Sequence, residues 1–72
     1  HLEEAVDLYK ASLSLKPDDP ESKIKLGIVY FLLDQKDLAR RYLAEVARQT
    51  NLKESPQYED LKQIFNALGL EL

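Results

Sequence analysis

The chain has one histidine, His1, and no cysteine, so any metal or nucleophilic chemistry would have to begin from carboxylates and hydroxyls. Its serines, Ser12, Ser14, Ser22 and Ser55, have no candidate base near them in the sequence. No Gly-rich phosphate loop and no nucleophile elbow occurs. Asp18, Asp19 and Glu21 cluster, yet they lack the glycine and the ligand spacing of a calcium loop. Helix capping is the expected work of Asp19. The Arg40–Arg41 pair offers an anion site or, more plainly, a solvated charged face. No catalytic residue, cofactor or metal is expected, and the chain reads as a non-enzyme. With 13 acidic and 10 basic side chains and a net charge of −3, a surface built to track phosphates is not expected, nor is a nucleic-acid partner.

What remains is an apolar pattern. Ile24, Ile28, Phe31 and Leu32 fall roughly on one side of one helix at successive turns, beyond the stripe that the helix needs for its own packing. These four are the candidate partner-binding residues, with Lys25 and Gln63 as rim groups. Three readings stay open: packing within the same or adjoining units, a groove for an apolar or amphipathic segment of another protein, or self-association through the same patch.

The elements that must position these residues follow from apolar spacing and from Pro17, Pro20 and Pro56. Seventy-two residues make one small domain. Leu, Ile, Val and Phe number 22, enough for a folded chain, and without cysteine the fold must hold by packing alone. A first helix is predicted from about Leu2 to Leu15, with Leu2, Ala5, Val6, Leu8, Tyr9, Ser12, Leu13 and Leu15 on a broad buried face. Asp19 caps a second helix, and Pro20 sits at its first position, where a missing N–H costs nothing. That helix runs to about Leu33. The polar stretch Asp34–Asp37 turns the chain into a third helix, near Asp37 to Thr50, antiparallel to the second. Its packing stripe is Leu38, Ala39, Tyr42, Leu43 and Val46, and Asp37, Arg41 and Glu45 form an exposed ladder. Ser55 and Pro56 repeat the cap-then-proline pattern and open a fourth helix with the stripe Tyr58, Leu61, Ile64, Phe65 and Leu68. Gly69 stops it in the left-handed conformation, and Leu70 folds back on Phe65. Ile28 to Phe31 also have high β propensity, so a buried strand competes locally with the helix.

The longest apolar run, Leu26 to Leu33, is too short to span a bilayer, which takes roughly 20 residues, so no membrane insertion is expected. No targeting segment is visible, and the compartment stays open. Methionine is absent even at the first position, which leads us to expect residues processed from before His1.

Compared with itself at a separation of 34 residues, the chain pairs Ala5 with Ala39, Tyr9 with Leu43 and Ser12 with Val46. Here the sequence resembles the tetratricopeptide repeat family, whose unit is two antiparallel helices. Leu2-Glu3-Glu4-Ala5-Val6, continuing through Tyr9, Ser12 and Pro17, resembles the second helix of such a repeat. Leu26, Gly27 and Tyr30, followed by Ala39, Leu43 and Val46, resemble a complete repeat. Tyr58, Leu61 and Phe65 resemble another first helix, offset by 35 residues. The resemblance implies an all-α, four-helix, short right-handed α-solenoid in a single domain, residues 1–72. Within it, residues 1–17 form the second helix of a truncated repeat, 20–53 a complete repeat and 55–69 a capping helix. It also implies a scaffold that binds a protein or peptide in a concave groove lined by its first helices; a structural or self-associating end of a longer repeat protein is the alternative. The lysine and asparagine with which some members grip a terminal carboxylate are not expected, because the corresponding positions are aliphatic and aromatic. Lys23 stands where the family often has an aromatic, and Asn51 where it often has proline. Gly27, costly inside a helix by about 1 kcal/mol, is expected to face Ala39 and let the paired helices approach closely. The first helix is expected to leave apolar surface open where its own partner would lie.

Overall fold

The computed structural model describes residues 1–72 and is all-helical. Four α-helices follow in order: α1 (Leu2–Leu15), α2 (Pro20–Leu32), α3 (Lys36–Gln49) and α4 (Tyr58–Leu68). A single 3₁₀ turn, Leu52–Glu54, precedes α4. Ile28 to Phe31 lie inside α2, so the competing strand does not form. The helix wins because the apolar residues on either side, Leu26 and Tyr30 among them, recur at helical spacing and fill one core.

Local chemistry sets most of the boundaries. One carboxylate oxygen of Asp19 accepts the N–H of Glu21 at 3.3 Å and the other accepts the Ser22 hydroxyl at 2.8 Å, with Pro20 at the first position of α2. At the other end, Gln35 donates its N–H to the Tyr30 carbonyl at 2.9 Å and Asp34 donates to that of Phe31 at 3.0 Å. This is a Schellman stop, and Asp34 occupies its left-handed position at φ 62°. Side chains other than glycine and asparagine are uncommon there. Asp34→Gly is therefore expected to raise stability by about 0.5–1 kcal/mol, read as a later midpoint in urea unfolding with an unchanged slope. Gly69 stops α4 in the same way at φ 72°, with Leu70 donating to Phe65 at 2.8 Å and Gly69 to Asn66 at 3.2 Å.

The contacts between α2 and α3 run in opposite order along the two helices, which makes them an antiparallel hairpin. Lys23 bonds Glu45 and Gln49, Gly27 meets Leu43, and Tyr30 stacks on Tyr42 at 5.8 Å between ring centroids. The core is one cluster spread over all four helices, with Leu26, Ala39, Leu43, Val46, Leu61 and Phe65 essentially sealed from water. Leu52 joins it from the 3₁₀ turn.

Four expectations are corrected here. Gly27 faces Leu43, one turn beyond Ala39: a Cβ at Gly27 would stand 2.6 Å from Leu43 Cγ. The close approach is real, but a branched side chain takes up the space. On α3 the ladder through Arg41 does not form. Arg40 instead reaches Asp37 at 3.6 Å and donates from Nε to the Leu68 carbonyl at 3.2 Å, satisfying a free carbonyl at the end of α4. Glu45 turns inward to Lys23 at 2.9 Å because a buried ammonium needs acceptors more than an exposed arginine does. Helix α4 opens at Tyr58 and not beside Ser55. Asn51 caps the 3₁₀ turn through the Lys53 N–H, and the Ser55 hydroxyl accepts the Gln57 N–H at 3.2 Å, so that these residues form turns ahead of the helix. Finally, α1 buries only Val6 fully. Ala5, Tyr9 and Leu13 are half-buried, while Leu2, Leu8, Ser12 and Leu15 are exposed, which leaves open the apolar surface expected on its uncovered side.

Candidate functional site

Three of the four candidate residues converge. Ile28, Phe31 and Leu32 come from the last turns of α2, and Asp60, Gln63, Ile64 and Ala67 from α4. Between them lies an open groove of about 460 Å³. Its floor and walls are aliphatic and aromatic, and Asp60 and Gln63 supply its polar edge. The two helices are held at this separation from beneath. Leu61, Phe65 and Leu68 on α4 and Leu26 and Tyr30 on α2 sit in the common core. Ile28 and Phe31 are half-buried, so they are fixed by packing on one side and open on the other, whereas Leu32 is 59% exposed.

Ile24 is placed elsewhere. It is 5% exposed and lines a separate depression with Pro20, Asn51, Leu52 and Pro56. It shares a stripe of α2 with the other three, but the chain entering the 3₁₀ turn closes beside that turn of the helix. Of the two rim residues, Gln63 lines the groove and Lys25 does not; Lys25 pairs with Glu21 at 3.3 Å. Sequence reasoning did not assign Ile64, Ala67 and Asp60 to the groove. Ile64 read as ordinary core and Asp60 fell outside the apolar stripe of α4, and only the angle between α2 and α4 gives them a common face.

The site holds little that could drive a reaction. No group of three or more histidine, cysteine or acidic side chains is gathered as a metal site would need. The one ionisable group moved clearly from its ordinary value lies away from the groove. Lys10 on α1 is raised, by hydrogen bonding to Tyr30 first and by the charge of that phenol second. Lys23, only 4% exposed, is satisfied by Glu45 and Gln49 and serves as a polar tie between α2 and α3. No helix is long and apolar enough to cross a membrane.

Stacked helices with a 34-residue register between α1 and α3 and an apolar groove between α2 and α4 describe a repeat scaffold. The family model described as Tetratricopeptide repeat matches residues 1–64. The chain belongs to the tetratricopeptide repeat family. No curated protein and no solved structure matches it. Tetratricopeptide repeats mediate protein–protein interaction, and in this repeat chain the matched residues contain α1, the complete α2–α3 hairpin and α4 as far as Ile64. Lys23, at a position often aromatic in the family, remains compatible with the fold because α3 offers it two acceptors.

Proposed function

We propose that the chain is a protein-interaction scaffold whose α2–α4 groove receives an apolar or amphipathic segment of a partner protein. Residues 1–17 act as the second helix of a repeat, 20–53 as a complete repeat and 55–69 as the closing segment that supplies the far wall. Ile28, Phe31 and Leu32 are the contact residues, and Ile24 supports them from within the core. The observation that carries this reading is Leu32, a large aliphatic side chain left mostly in water at the mouth of a hollow lined by Phe31, Ile64 and Ala67. A groove of this kind gains affinity by burying a few large side chains, and a polar edge then selects among ligands.

Peptides selected on the full chain from a library of amphipathic helices provide the test. Phe31→Ala and Leu32→Ala are each expected to weaken the selected peptides by roughly five- to thirtyfold, the loss of about 1–2 kcal/mol per anchor. Leu32→Ala should leave the melting temperature within a few degrees, because its side chain is mostly solvated. Unchanged binding in both variants would overturn the groove. Sedimentation at rising concentration addresses the alternative: a dimer that Leu32→Ala dissolves would make the patch a self-association surface.

A further inference from the structure

The depression that Ile24 lines and the groove beyond it share their walls. Along α2 the wall passes from Ile24 in the first hollow to Ile28 in the second, and the facing segment passes from Gln57 to Asp60. Each step is one helical turn, and both walls advance in the same direction along the chain. The two hollows, of about 280 and 460 Å³, therefore succeed one another in a single furrow. Their chemistry differs. The far end is aliphatic and aromatic, whereas the near end is edged by carboxylates. Glu21, Glu54 and Asp60 line the furrow, and no lysine or arginine does. Glu21 is held by Lys25 at 3.3 Å, but Glu54 and Asp60 are exposed and enter no ion pair. The cations nearest to them in sequence are engaged elsewhere: Lys53 lines a different hollow with Leu72, and Lys62 pairs with Glu59 at 3.3 Å.

We infer that the partner segment received by the α2–α4 groove is a basic amphipathic helix. Its apolar side chains seat against Ile28, Phe31 and Leu32, and a lysine or arginine one to two turns away extends over Ile24 to Glu54. The inference rests on the groove reading and adds to it the charge of the partner. Pro20, Ile24 and Pro56 offer apolar surface to the methylene stem of that cation, while the carboxylates meet its head at the water-facing edge. Asp60, at the near end of the groove, takes a second cation. With a net charge of −3, the chain also draws a basic segment toward it before contact. An acidic segment would meet Asp60 and Glu54 with no cation in the furrow to answer it.

The library of amphipathic helices is the probe, selected in parallel on the full chain and on a Glu54→Gln, Asp60→Asn double variant. Both positions are exposed, so the circular dichroism spectrum should not change. Peptides taken by the unaltered chain are expected to carry lysine or arginine one or two turns from their apolar anchors, and those taken by the variant are not. Glutamine in place of that cation should weaken a selected peptide roughly two- to fivefold for each carboxylate it faces, as loss of an exposed ion pair does. The same replacement should change nothing in the double variant, and its effect should shrink as salt is raised. Selected peptides that need Leu32 yet show no basic preference would overturn this inference and leave the groove reading standing. Failure to select any peptide would overturn both. A dimer of the chain that the double variant dissolves would also overturn the inference, since a second copy would then be the occupant.

Discussion

Gly27→Ala lowers the stability of the domain, although alanine is the better helix former. Relieving glycine in a helix interior is worth about 1 kcal/mol. Against that gain, the new Cβ meets Leu43 Cγ at 2.6 Å and Cδ2 at 2.7 Å, and Leu43 is fully buried. The colliding atom is a branch point held on all sides and cannot swing away. Overpacking of this kind costs about 1–3 kcal/mol, and with a clash under 3 Å at a fully buried branch point the upper part of that range applies, so the expected net loss is up to about 2 kcal/mol. Gly27→Leu adds a whole side chain to the same gap and should cost at least about 3 kcal/mol, a drop of roughly 12 °C or more in melting temperature for a domain of this size. The sign depends on Leu43. In a Leu43→Ala background the obstructing atoms are gone, and Gly27→Ala should then stabilise. A double-mutant cycle followed by urea unfolding reads this reversal directly. If alanine at position 27 stabilised both backgrounds, Gly27 would owe its place to something other than the close approach to α3.

The same pair shows what the sequence could and could not disclose. That a helix interior keeps Gly27 implies a close neighbour, and the 34-residue register indicates that the neighbour lies on α3. Which side chain fills the contact depends on how far α3 is rotated about its axis, and a shift of one turn exchanges Ala39 for Leu43. Capping chemistry, being local, was legible: Asp19 with Pro20, and Gly69 with Leu70, sit where their side chains and backbone freedom require. Polar pairing was not. A linear reading put Arg41 in the ladder with Asp37 and Glu45, and only the position of the α4 terminus selects Arg40 as the donor to Leu68. Glu45 read as solvated cover because nothing in α3 itself reveals the buried Lys23 across the hairpin. The groove divides in the same way. Ile28, Phe31 and Leu32 were legible as apolar residues in excess of the core stripe, whereas its other wall comes from α4 and depends on an interhelical angle. Ile24 followed the same periodicity but lies beside the loop before α4, whose path was set by Leu52 turning into the core.

That other wall makes Phe65 the position with the largest expected effect on function from outside the groove. Phe65 is essentially sealed in the core and lines no part of the hollow. Helix α4 has only 11 residues, too few to stay helical alone in water, so its order depends on docking Leu61, Ile64, Phe65 and Leu68. Phe65→Ala removes the largest of these and should cost about 3–5 kcal/mol. A chain of this length has only about 4–11 kcal/mol in total. Two observations localise the loss. The hairpin α2–α3 keeps its own contacts through the Gly27–Leu43 approach, the Lys23 bonds to Glu45 and Gln49 and the Tyr30–Tyr42 stack, all made between α2 and α3. The Arg40 bond and the Gly69 stop hold the end of α4 only while its stripe is seated. Amide exchange over residues 61–70 should therefore accelerate far more than exchange over residues 26–32 and 39–46. With Ile64 and Ala67 no longer opposite Phe31 and Leu32, peptide binding should disappear, although no residue that touches the peptide has been changed. Leu32→Ala is the complementary case, weaker binding at nearly full stability. If Phe65→Ala left the α4 amides protected, or left binding intact, the groove could not be a product of the α4 docking surface.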